Sequence, residues 1–210
     1  MPPHLPRWLL AIACCIALPC LAAEPVDTGW ILARLERPVP SRTPFVELRG
    51  SALLEAPLRV TGEYRRPEAD VLVRAVTAPH PETTTIRDGT ITIERNDKAR
   101  RFALSRAPEL GGLQAGFGAL LAGDEAALRQ HFTLASEGTT RDWRLRLAPR
   151  DATLAKTLQR IVLHGHGAEV RCIETHPAKG DVQRTLLAGA AVDADGVADA
   201  GALAALCHGD

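Results

Sequence analysis

Leu58-Arg59-Val60-Thr61-Gly62-Glu63-Tyr64-Arg65-Arg66-Pro67 is the stretch whose reading decides the fold. Leu58, Val60, Gly62 and Tyr64 are apolar or small, and period-two alternation marks a β-strand with one face turned from water. The same face ends at Arg66. A lone guanidinium is too costly to bury, so Arg66 is expected at a rim, donating to the carbonyls of whatever covers the face. A strand over 71–77 follows, then Pro79, Pro81 and the turn Ile86-Arg87-Asp88-Gly89. This describes an antiparallel sheet with an oily concave face and a polar latch at its mouth. It suits a container better than a catalyst.

Working outward, Asp27 can cap a short helix through Trp30, Ile31 and Leu35 that Pro38 and Pro40 end. Further strands are expected over 45–54, 83–87, 90–94 and 100–104, with tight hairpins at Asp88-Gly89 and Asn96-Asp97. Leu110, Leu113, Phe117, Leu120 and Leu121 then fall at helical spacing. Gly111, Gly112, Gly116 and Gly118 interrupt that stripe, each at a cost of about 1 kcal/mol. Such a helix holds only if it docks, which suits a lid that opens; ordinary core packing is the plainer reading. Asp124 starts another short helix through Leu128. Strands resume over 132–137, 142–148, 157–163, 168–174 and 182–188. The clearest is 142–148, where Trp143, Leu145 and Leu147 alternate with Arg144 and Arg146. The fold expected is mainly β with a helical lid (α+β), a half-open antiparallel barrel of about 10–11 strands.

Residues 1–23 read as an export signal, with Arg7 ahead of a short apolar run and Leu21-Ala22-Ala23 before Glu24. Without them the chain carries a net charge of about −1, which gives no electrostatic case for nucleic acid. A soluble periplasmic monomer is expected. Three cysteines leave with the signal, and Cys172 and Cys207 form an even pair in an oxidising compartment. A disulfide is the favoured reading, two unrelated thiols the other. The remainder divides into one domain, 24–192, and an Ala-, Gly- and Asp-rich low-complexity tail, 193–210.

Chemistry-bearing constellations are weak. His164-x-His166 with Cys172 and His176 offers zinc-type ligands without a recognised spacing, and no metal is expected. Asp193-x-Asp195-Gly196 lacks the ligand pattern of a calcium loop. No phosphate loop, nucleophile elbow or catalytic triad is identifiable, so no catalytic residue and no cofactor are assigned.

The chain resembles the periplasmic outer-membrane lipoprotein carrier family, the LolA-like proteins, as a divergent subgroup. The resemblance rests on Phe45-Val46-Glu47, on Gly62-x-Tyr64 leading to Arg66-Pro67, and on Pro79 followed by Ile86-x-Asp88-Gly89. It continues through the Gly- and Leu-rich insertion to Trp143-x-Leu145-x-Leu147-x-Pro149. It departs where an aromatic-rich strand gives way to Val71-Leu72-Val73-Arg74-Ala75. The resemblance implies a half-open barrel closed by helices, with Arg66 as the lid latch. It further implies lipoprotein acyl chains as cargo, an inner-membrane donor complex and an outer-membrane acceptor. The cargo lining is expected to include Leu58, Val60, Tyr64, Val71, Val73, Leu113, Phe117, Trp143, Leu145 and Leu147. Two alternatives stand beside it: a carrier for another amphiphile, such as a polyene pigment or glycolipid, and a periplasmic hydrolase or metal-dependent enzyme using His164, His166 and His176.

Overall fold

The computed structural model describes residues 26–49, 58–106, 119–120 and 122–209. Residues 1–23, read as an export signal, and most of the Gly-rich stripe, with Leu113 and Phe117, lie outside them. Within the described residues the strands are β1 (Ser41–Arg49), β2 (Leu58–Arg66), β3 (Leu72–Ala78), β4 (Glu82–Arg87), β5 (Thr90–Arg95), β6 (Lys98–Ala103), β7 (Phe132–Gly138), β8 (Asp142–Pro149), β9 (Leu158–His166), β10 (Glu169–Pro177) and β11 (Gln183–Leu187). The helices are α1 (Thr28–Leu35), α2 (Glu125–His131), α3 (Ala188–Asp193) and α4 (Ala200–His208). None is long and apolar enough to cross a membrane.

All eleven strands form one antiparallel sheet in the order β6-β5-β4-β3-β2-β1-β11-β10-β9-β8-β7. First and last strands pair, Phe45 opposite Leu187, so the two edges are β6 and β7. The barrel is open where the chain leaves the sheet between them.

Local chemistry explains the elements. Asp88 and Gly89 have φ of 47° and 66°, and Asn96 and Asp97 have 49° and 57°; paired left-handed residues make the two-residue turn whose twist matches a hairpin. Asp27 accepts from the Trp30 amide at 2.7 Å and starts α1, and Asp124 accepts from the Ala127 amide at 2.9 Å and starts α2. β1 begins at Ser41, earlier than its apolar pattern suggests, because pairing with β2 runs unbroken from Ser41–Arg66 to Arg49–Leu58.

Helices cover both faces of the sheet's middle. On the inner face Ile31, Leu32 and Leu35 of α1 and Leu128 of α2 join Phe45, Phe132, Leu145, Leu163 and Ile173 in the main core, together with Ala119 and Leu120. On the outer face Ala190, Ala191, Ala194, Leu203 and Cys207 pack on Val46, Leu48, Cys172 and Leu186. Hence Phe45–Leu48 are buried in succession, whereas β8, covered on one face, alternates strictly.

The segment expected to be a low-complexity tail is part of that outer core. Ala194 is fully buried and Leu203 is 2% exposed, so a boundary after residue 192 falls inside a packed unit. Asp199 caps α4, accepting from the Ala202 amide at 2.8 Å. Cys172 and Cys207 are joined by a disulfide that pins α4 to β10.

Candidate functional site

Because directly paired residues share a face, register sorts the expected lining. Val60 pairs with Glu47, Gly62 with Phe45 and Tyr64 with Thr43. The same face continues through Leu187, Ile173, Leu163 and Leu145. On the other side it runs from Tyr64 through Arg74 and Thr84 to Ile93, beside the row Leu72, Ile86, Ile91 and Phe102. This inner face carries Val60, Tyr64, Trp143, Leu145 and Leu147. Leu58 shares its parity but lies 39% exposed at the strand's start.

Val73 is a correction. It pairs with Arg65 and Thr85, on the face opposite Tyr64, and Leu72 and Arg74 point inward in its place. Val71 is buried just before β3, outside the main core. The apolar pattern misled because Arg74 faces the interior. Its guanidinium meets the Glu47 carboxylate at 3.0 Å and lies 4.7 Å over the Phe45 ring. Glu47 is 5% exposed and also accepts from Arg49. A buried carboxylate survives only with such partners. Burial pushes the Tyr64 phenol up, opposed by Arg74, and its ring packs 5.0 Å from Phe45.

The inner face is covered unevenly. On β7 and β8 Phe132, Leu134, Trp143, Leu145 and Leu147 are all at most 8% exposed. Trp143 lies flat on Gly165, where a Cβ would come within 2.0 Å of the ring, and its indole donates to the Gly167 carbonyl at 2.9 Å. Toward the other edge, Tyr64, Leu72, Ile86, Ile93 and Phe102 are only half-buried, although Ile91 and Val76 among them are buried. A narrow cavity of about 70 Å³ opens where these halves meet, between Tyr64, Leu72, Ile173 and Leu187.

Arg66 stands at the mouth of that cavity. It donates to the Arg37 carbonyl at 3.1 Å, just beyond α1, and to the Ala69 carbonyl at 3.2 and 3.3 Å. Arg37 in turn donates to the Ala168 carbonyl at 2.8 Å. The two guanidiniums stitch the end of α1 across the rim. The rim position of Arg66 follows from its place on the strand, whereas Arg37, at an exposed helix end, carries no sequence pattern.

The three histidines weighed for enzymatic chemistry do not share a centre. His166 bonds Asp142 at 2.7 Å near the surface. His164 and His176 turn toward Glu174 on the outer face, at 3.1 and 3.4 Å, where His208 joins them. His164, Glu174, Cys207 and His208 lie near enough for a metal, but the disulfide removes the thiolate that Cys207 would need.

No curated protein matches the chain. A LolA superfamily protein from Nitrosomonas europaea aligns at 12% identity and TM-score 0.42, covering 78% of this chain and 92% of that one. LprF from Mycobacterium bovis aligns at 12% identity and TM-score 0.32, covering 77% and 91%. The family model of outer membrane lipoprotein carrier protein LolA-like sequences matches residues 20–210. An open antiparallel barrel with helices seated on its oily face is the architecture expected of a lipid or lipoprotein carrier, and with a match of that length the chain belongs to the LolA-like family.

Proposed function

We propose that this protein is a periplasmic carrier that shields the acyl chains of lipid-modified cargo, lipoproteins foremost, on the way to the outer membrane, and performs no chemical step. The observation that supports this reading is the half-buried apolar patch of Leu72, Ile86, Ile93 and Phe102 around the buried Ile91. It continues the packed inner face beyond the strands that, among the described residues, α1 and α2 cover.

Energetics suit carriage. Burying an acyl chain contributes about 0.8 kcal/mol per methylene, on the order of 10 kcal/mol for a long chain. A carrier must also release. Cargo entering beneath α1 displaces the Arg66–Arg37 contact, and that competition lowers net affinity toward a level that permits hand-off. Hand-off requires a donor at the inner membrane and an acceptor at the outer one, and both are part of the proposal.

The test is mass spectrometry of the protein purified without detergent from its own periplasm. Co-purifying lipoprotein supports the proposal. A small pigment or glycolipid keeps the carrier and changes the cargo. Stoichiometric zinc with nothing apolar bound overturns it in favour of a metal-dependent enzyme.

A further inference from the structure

Outward-facing residues of β8, β9 and β10 form a cleft of about 540 Å³ on the side of the sheet away from the hollow. Register sets Arg144 beside His164, Val162 between Arg146 and Glu174, and Arg160 beside His176. The end of α4 adds His208, held in place by the neighbouring Cys207 disulfide. Three arginines, three histidines and one carboxylate thus converge from three strands and a helix.

Charge decides what such a cleft accepts. Glu174 is already spent: it accepts from Arg184 at 2.7 Å and from His164 and His208 at 3.1 Å each. Arg144 and Arg146 share the single carboxylate of Glu137, at 3.1 and 2.9 Å. Arg160 spends its donors on neutral groups, Gln159 and the His176 Nδ1. Four arginines therefore face two carboxylates before any histidine is counted. The chain as a whole is neutral, so the excess is local. Since Nδ1 of His176 accepts, its Nε2 carries the proton. That buried donor sits 3.4 Å from Glu174 but too poorly directed to bond it. A divalent cation among these arginines would be repelled, and the ligand that satisfies them is an anion.

We propose that this cleft binds a phosphoryl group, carried either on a phospholipid headgroup or as free phosphate or its monoester. Guanidinium forks match phosphate oxygens two at a time, and a tetrahedral phosphate offers oxygens to donors from separate strands at once. The site is on the opposite face from the hollow and stands or falls independently of the cargo reading.

The experiment uses untagged mature chain, titrated calorimetrically with inorganic phosphate and floated with vesicles of phosphatidylglycerol or of phosphatidylcholine. Saturable phosphate binding, weakened about tenfold or more in Arg146→Gln/Arg160→Gln, supports a site for free phosphate or its esters. Flotation with phosphatidylglycerol alone, lost in the same variant, supports a headgroup site. Should the double variant unfold by circular dichroism, Arg144→Gln, at a half-exposed position, replaces it with a smaller loss expected. Neither phosphate nor anionic vesicles binding, binding indifferent to these substitutions, or stoichiometric zinc without phosphate overturns the proposal.

Discussion

On β7 and β8 every inward apolar side chain is buried in the core that α1 and α2 join, whereas on β3, β4, β5 and β6 the inward Leu72, Ile86, Ile93 and Phe102 remain half-exposed around a buried Ile91. Both halves belong to one sheet and share one alternation. Among the described residues, α1 and α2 join the core of the covered half, and the strand pattern does not encode that. A covered residue has already delivered its 1.5–3 kcal/mol or so of burial; a half-covered one holds part of it in reserve for a ligand. The outer face offers a control, because its helices stabilise the sheet without touching the hollow.

The largest effect should come from that control. Replacing Cys172 and Cys207 by Ala opens a loop spanning 35 residues, which loop-closure entropy values at about 4 kcal/mol. Urea unfolding should show that loss with acyl-probe affinity unchanged in the folded protein; a parallel fall in affinity would break the separation of faces. Next, Leu145→Ala in the covered half should cost about 3 kcal/mol. Ile93→Ala should cost about 1 kcal/mol yet weaken acyl-probe binding several-fold. Equal stability losses would erase the distinction between halves.

Acid should act through the outer face. The His164 bond, against opposing burial, holds the Glu174 carboxyl well below its ordinary value of 4.5, and burial with the Arg160 charge lowers His176 below 6.5. Both folded pKa values are depressed, so the unfolded chain binds more protons and stability falls with falling pH. The His176 part is lost below about pH 6.5 and the Glu174 part below about 4.5. Glu174→Gln should flatten the lower segment of a melting-temperature profile, while the hollow's probe affinity keeps its pH dependence. Smallest in stability, about 1 kcal/mol, is Arg66→Leu. It should quicken hydrogen exchange around Arg37 and slow cargo release; unchanged release would remove Arg66 from the latch.

The strands and hairpins were legible because alternation and Asp-Gly or Asn-Asp turns are local signals. The inward phase of β3 was not. Arg74 sits where an apolar residue was expected, and only the distant Glu47 explains it. The outer core was hidden too, since Ala- and Gly-rich helices have little amphipathic contrast, and Glu174 and His208 meet across 34 residues. Arg66 was readable from parity; the cover it bonds was not.

The central claim is tested most directly by methyl NMR with a spin-labelled acyl chain added to the protein. Broadening of Val60, Ile86 and Ile93 methyls, with Val73 and Val46 on the other face spared, is the predicted result. No saturable broadening, or equal broadening on both faces, would contradict the account.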